Sequence, residues 1–392
     1  MTDEGKIDKY CLKRLDSDVH LGKPKFVFLC ILSLLLAIPG FTQDFLFPRV
    51  DQQLTGVLGH DFPSKFDVKW SFKTDSEIKS TPLIVKDKIV VSSTDAHLYC
   101  LEKTGKLLWS FKAENAFEAS PVIRENIIYV GDLSGRLYAI NLADGTKRWE
   151  YQTDNQILAT ANWYDHDGQT YILVGSYDYS LYCVKASTGD SLWTYELDNF
   201  LNGAVAIENS KVVFGGCDGF LHCVDIVTGK LQSKYDIATY IASSPCLENN
   251  IAYVGDYDGV FMAVDLKDQK TIWKYNPVDS NLPFIASPSV YKDWIISTNR
   301  DKHVYCFNKM TGELIWNKSI GFKIDASPLV SKEGKVLVVN MRGDIVVLDI
   351  ETGQTEHQFE LGSPVFSNPA VNSNSIVIGA NDGNLYYLEE IK

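Results

Sequence analysis

The sequence predicts an all-β protein: an eight-bladed β-propeller of four-stranded antiparallel blades, with the ring closed by the N-terminal strand. Three observations carry this. One pattern recurs eight times, about forty residues apart, from Trp70 to the last residue, the mark of a repeat architecture. The apolar runs inside each copy are short and rich in Val, Ile, Tyr and Phe, with Gly, Asp and Asn clusters between them, as strands and tight turns require. Eight sets of the first three strands can be counted, yet the chain stops at Leu388-Glu389-Glu390-Ile391-Lys392, before an eighth outer strand.

The unit is clearest at Ser120-Pro121, followed by Ile127-Ile128-Tyr129-Val130-Gly131, Gly135-Arg136-Leu137-Tyr138-Ala139-Ile140, Asp144-Gly145 and Trp149. Its Ser-Pro position leads into the innermost strand. That position is filled in turn by Thr81-Pro82, Ser120-Pro121, Thr160-Ala161, Gly203-Ala204, Ser244-Pro245, Ser287-Pro288, Ser327-Pro328 and Asn368-Pro369. The outer strand carries Trp109, Trp149, Trp193, Trp273 and Trp316, with Ser233 and His357 as substitutes. These Trp side chains are expected to dock between neighbouring blades. The second turns carry Asp95, Asp178, Asp218, Asp258, Asp301 and Asp382. Asp-Gly pairs there supply the positive backbone angles of a two-residue hairpin, whereas one Asp per turn gathers too few oxygens for calcium.

Closure follows from the missing outer strand. Trp70-Ser71-Phe72-Lys73 matches Trp109-Ser110-Phe111-Lys112, but no inner strands precede it. It is therefore expected to complete the last blade beside residues 385–388, removing strand edges that would invite aggregation.

The domain reading is residues 1–42 as signal peptide or N-terminal anchor, 43–64 as a lead-in segment and 65–392 as the propeller. The apolar run of residues 26–38 follows Lys23 and Lys25 and is broken by Pro39-Gly40. That length suits a signal core better than a full span of about 20 residues, and either fate places the propeller outside the cytoplasm. A net charge of −13 argues against sequence-independent nucleic-acid binding, which needs a basic stripe. Cys100, Cys183, Cys223 and Cys306 share one repeat position and read as small buried hydrophobes, while Cys217 and Cys246 have no obvious partners.

Few residues suggest chemistry. His60, His97, His166, His222, His303 and His357 lack the paired spacing of a zinc site and read as surface or turn residues. No catalytic, cofactor-binding or metal-binding residue is predicted.

The stretches Thr104-Gly105-Lys106-Leu107-Leu108-Trp109, Thr188-Gly189-Asp190-Ser191-Leu192-Trp193 and Thr311-Gly312-Glu313-Leu314-Ile315-Trp316 resemble the pyrroloquinoline-quinone-type propeller repeat, over residues 65–392. The layout is similar to the BamB-type outer-membrane assembly factors. In quinone-dependent dehydrogenases the resemblance implies a cofactor over the axis against a Trp floor and a vicinal Cys pair, with calcium and an Asp base. This sequence has no Cys-Cys pair and no long insertions to wall such a pocket. In BamB-type proteins a mid-ring loop meets a partner barrel protein, and the matching stretch is 198–202, which lacks the family's basic contact residue. Cys30 also lacks the small preceding residue of a lipoprotein site.

Function is therefore expected on one rim. The residue two positions before each Ser-Pro site leads to the channel mouth, and the partner-binding candidates are Leu158, Phe200, Leu201, Ile285 and Phe366. Contiguous exposed apolar groups of this kind mark contact sites; otherwise they plug the channel. The expectation is a non-catalytic, monomeric extracytoplasmic ring without cofactor that binds another protein, in envelope or outer-membrane assembly. The alternatives are a quinone-dependent dehydrogenase and a sensor or carbohydrate-associated surface module.

Overall fold

Burial falls from the axis outward, and the strand sequences follow it. In the computed structural model, residues 44–241, 243–277 and 280–391 are described, and they form eight four-stranded antiparallel sheets without helices. Innermost strands such as Leu83–Val85 and second strands such as Ile127–Gly131 are buried throughout, so both faces are apolar. Outer strands such as Lys147–Gln152 alternate exposed and half-buried positions, the period-two pattern of a strand with one solvated face. Blades 1 to 7 span residues 83–112, 122–152, 162–196, 206–236, 246–275, 289–319 and 329–360.

Blade 8 joins the first strand of the propeller to its last three, as the strand count requires. Phe66–Lys73 runs antiparallel to Asn384–Glu390, with Trp70 opposite Tyr387 and Phe72 opposite Leu385. The Trp70 and Tyr387 rings stack at 5.0 Å.

Neighbouring blades are clamped by the repeating Trp. Trp149 donates its Nε1–H to Ala186 O at 2.9 Å in the next blade and lies on Gly189, where a Cβ would come within 2.8 Å of the ring. The same pairing joins Trp70 to Gly105, Trp109 to Gly145, Trp193 to Gly229, Trp273 to Gly312 and Trp316 to Gly353. Each of these glycines also has positive φ. Where Ser233 replaces Trp, the facing turn of blade 5 carries Gln269 instead of Gly. The Trp and the Gly are thus two halves of one contact.

The second turns differ from the expected hairpin. Positive φ falls on the residue after the Asp, such as Gly219, Gly259 and Gly383, while the Asp caps the turn. Asp95 accepts from His97 N–H at 2.9 Å and from Tyr99 Oη at 2.7 Å. Two-residue turns with both φ positive lie instead in the first hairpins, at Glu125-Asn126, Asn209-Ser210 and Asn249-Asn250.

The stretch expected as a lead-in does more than lead in. From residue 45 it crosses the channel and meets the inner strands of blades 1 to 7 in order. Phe45 exchanges backbone hydrogen bonds with Ile84, and Ile123 N–H reaches Leu46 O. Gln52 binds Trp163 O through its side chain. Ile207, Leu247 and Val290 donate to the carbonyls of Gln52, Gln53 and Thr55, and Leu58 N–H donates to Val330 O. Phe45, Phe47, Leu54, Leu58 and Phe62 are buried there. The apolar run of residues 26–38 lies outside the described residues, as do Cys11 and Cys30.

Candidate functional site: the channel mouth

Two concentric rings build the mouth, one apolar and one polar. The apolar ring is Ile78, Phe117, Ile157, Leu201, Ile241, Phe284, Ile324 and Val365, all fully buried. Five of them wedge onto a second-strand Gly. At Gly175, for example, an added Cβ would come within 2.2 Å of Leu201 Cδ2, so this position excludes any side chain. The polar ring latches blade to blade through the Ser-Pro positions. Thr81 N–H donates to Ser120 Oγ (2.8 Å), Ser287 N–H to Ser327 Oγ (3.0 Å) and Ser327 N–H to Asn368 Oδ1 (2.7 Å). Asn368 Nδ2 returns to Thr81 Oγ1 at 3.2 Å, closing the circle.

This latch corrects one reading of the sequence. In blade 4 it is Ala204 N–H that donates to Ser244 Oγ, at 2.8 Å, so Ala204-Val205 fills the Ser-Pro position rather than Gly203-Ala204. The rim residue there is Asn202. Leu201, counted as a rim residue, belongs to the buried ring and is inaccessible to a partner.

The other candidates stay at or near the mouth. Leu158 and Ile285 are half-buried and line one pocket on the axis. Phe200 is half-buried between Tyr177 and Tyr179, at centroid distances of 4.8 and 5.0 Å. Phe366 is 39% exposed. Among the described residues the exposed aromatics are Tyr179, Tyr240, Tyr257, Phe322 and Phe366, each 39% exposed or more. All lie in inter-blade loops or second turns. Those two sets share one face, as the backbone bonds Tyr177 to Gln156, Cys217 to Phe200 and Tyr257 to Tyr240 demonstrate. Sequence reasoning passed over Tyr179, Tyr240, Tyr257 and Phe322. The available signal was an aromatic inside a turn cluster, as in Asp256-Tyr257-Asp258, where no core position requires one.

The axial pocket, about 160 Å³, is floored by Phe47, Pro48 and Arg49 of the crossing segment. Arg49 is buried, with Nη1 donating to Pro328 O at 2.7 Å and Nη2 to Pro288 O at 2.7 Å and Ser289 Oγ at 3.2 Å. Burial lowers its guanidinium to about 10. Asp51 acts on it through space and forms no hydrogen bond to it, accepting instead from Thr55 N–H at 2.9 Å and from the Thr55 hydroxyl.

One cluster looks catalytic by composition. His222 is buried rather than exposed, which corrects its reading as a surface or turn histidine. It occupies the Tyr place of the turn latch, with Nε2 2.9 Å from Asp218 Oδ2 and Nδ1 3.0 Å from Tyr195 Oη. Burial alone would raise the Asp218 carboxyl, but His222, Phe220 N–H and Lys234 together hold it below its ordinary value. With His222 and the Asp218 side chain sealed from solvent, the relay reaches no substrate and serves as a latch. The six described cysteines are free, and burial pushes the thiols of Cys100, Cys183 and Cys306 up to about 12, which makes them inert.

A quinone cofactor does not fit the axis. The pocket there falls below the roughly 300–1,000 Å³ of sites that take such ligands, and no vicinal Cys pair lines it. Among the described residues, no three His, Cys, Asp or Glu side chains converge on a metal position.

Comparison with known proteins adds the following. The sequence pattern of the family described as "Beta-alanine-activating enzyme, beta-propeller" matches residues 163–392. That of "Outer membrane protein assembly factor BamB" matches residues 67–162. The beta-alanine-activating enzyme of Danio rerio is 30% identical over 97 residues, which is 23% of this chain and 8% of that protein. The chain thus spans a small fraction of that curated relative. Among solved structures, BamB from Moraxella catarrhalis matches with a TM-score of 0.69 at 19% identity, over 83% of this chain and 99% of that chain. A europium-containing methanol dehydrogenase matches with a TM-score of 0.72 at 12% identity, over 88% of this chain and 98% of that one. The expected likeness to quinone-type and BamB-type propellers is borne out, and at these identities the structures share the fold alone.

Proposed function

The chain belongs to the family of the beta-propeller of beta-alanine-activating enzyme, and from that premise we propose that it is a non-catalytic scaffold docking another protein on the aromatic face of its ring. The observation that carries this reading is the gathering of Tyr179, Tyr240, Tyr257, Phe322 and Phe366 on one face. Aromatic side chains in solvent gain nothing for the fold, and they are the groups that supply most binding energy when a partner covers them. The rim candidates Leu158, Phe200, Ile285 and Phe366 lie on or beside this face, so the proposed docking surface keeps them and drops Leu201.

An extracytoplasmic setting is part of the proposal. It is supported by the apolar run of residues 26–38 after two Lys and by the BamB-type pattern over residues 67–162, and the same pattern supports a partner in envelope or outer-membrane assembly. The N-terminal sequence of the mature protein and its accessibility to protease in intact cells test this setting. The closed, polar axis and the sealed Asp218–His222 relay speak against the dehydrogenase reading. Absorbance titration with pyrroloquinoline quinone and calcium tests that alternative; micromolar binding would contradict the scaffold. Docking is tested with Tyr240→Asp/Phe366→Asp, which should keep the thermal midpoint and lose partner capture from native extracts. Full capture by a stable variant would move the interface elsewhere.

A further inference from the structure

We propose that the axial pocket binds a small oxyanion, the carboxylate or phosphate group of a ligand, between Arg49 and the ring of hydroxyls above it. Arg49 is 5% exposed, and its Nη groups bond only neutral oxygens. Its Nε is sealed from solvent and has no partner, and Asp51, the acid whose charge it feels, spends its oxygens on Thr55 and forms no hydrogen bond to the guanidinium. A buried cation with no carboxylate bonded to it is costly, and an anion on the pocket side would offset that cost.

The wall complements this charge. Ser120, Ser244 and Ser327 each accept a backbone N–H from the neighbouring blade, which leaves their hydroxyl protons to be donated. Thr160 and Ser287 line the same pocket and have no part in the latch through their side chains. In a chain of net charge −13, no Asp or Glu lines the pocket. The charges nearby on the rim cancel in pairs, Lys79 with Glu118 at 2.7 Å and Arg300 with Asp325 at 2.7 Å. The volume of about 160 Å³ is well above what a single water needs and leaves room for one anionic group.

The test is calorimetric titration of the purified full chain with inorganic phosphate and separately with acetate, each at constant ionic strength against chloride. Saturable binding of phosphate alone assigns a phosphate group, and of acetate alone or of both a carboxylate-sized oxyanion site. Thr160→Val/Ser287→Ala breaks no latch, and it should weaken binding about tenfold or more, as expected for lost hydrogen bonds to a charged group. Arg49→Gln should abolish it, and crystals grown in selenate should show anomalous density against Arg49. No response above chloride from either anion, or an unchanged affinity in the folded Thr160→Val/Ser287→Ala variant, would overturn the proposal.

Discussion

Leu201 and Phe200 are adjacent in sequence and have opposite environments. Leu201 fills the space above Gly175, so Leu201→Ala should cost about 2–5 kcal/mol in denaturant unfolding, the range for emptied core sites. Phe200→Asp, at a half-buried loop position, should cost about 1 kcal/mol or less. The two were indistinguishable by counting, because neither Gly203-Ala204 nor Ala204-Val205 carries the Ser, Thr, Asn or Pro that sets the phase in the other blades. Only the hydrogen bond from Ala204 N–H fixes it. His222 was likewise hidden, since a His in a Tyr place reads as polar until its Asp is seen to hold it. Because the folded Asp218 carboxyl sits below its ordinary value, the unfolded chain binds more protons there. The stabilisation is complete above the unfolded Asp range of about pH 4 and is lost as pH falls through the folded value. Chemical denaturation at descending pH should therefore show a shallower acid loss in Asp218→Asn than in the wild type.

At the scale of the blade, the strands, the count of eight and the closing strand were all legible, because period-two burial and turn residues are local. The Trp role was legible only in part: docking between blades was expected, but its dependence on a Gly in the next unit is a contact between repeats. That contact gives a sharp expectation. Ser233→Trp alone should destabilise, since Gln269 occupies the place where a ring would lie, and Ser233→Trp/Gln269→Gly should recover stability. A double-mutant cycle should return a favourable coupling of about 0.5–3 kcal/mol. Conversely, Trp149→Ala should cost about 2 kcal/mol or more, as a large side chain is lost from a packed contact.

At the scale of the ring, the segment from Phe45 to Leu58 ties seven blades together and blade 8 ties the first strand of the propeller to its last. Nothing in its composition announces this, since Asp51-Gln52-Gln53 reads as a polar loop and its partners are backbone groups far away in sequence. The crossing segment closes the axis from within, and the aromatic loops of one face are the docking surface proposed above. Site-specific photo-crosslinking in native cells tests that claim most directly, with a benzophenone side chain placed at Tyr240 on the aromatic face or at Met310, which is 61% exposed in a turn of the opposite face. A discrete heavier adduct from position 240 and none from position 310 is predicted; no adduct from 240, or equal adducts from both, would contradict it.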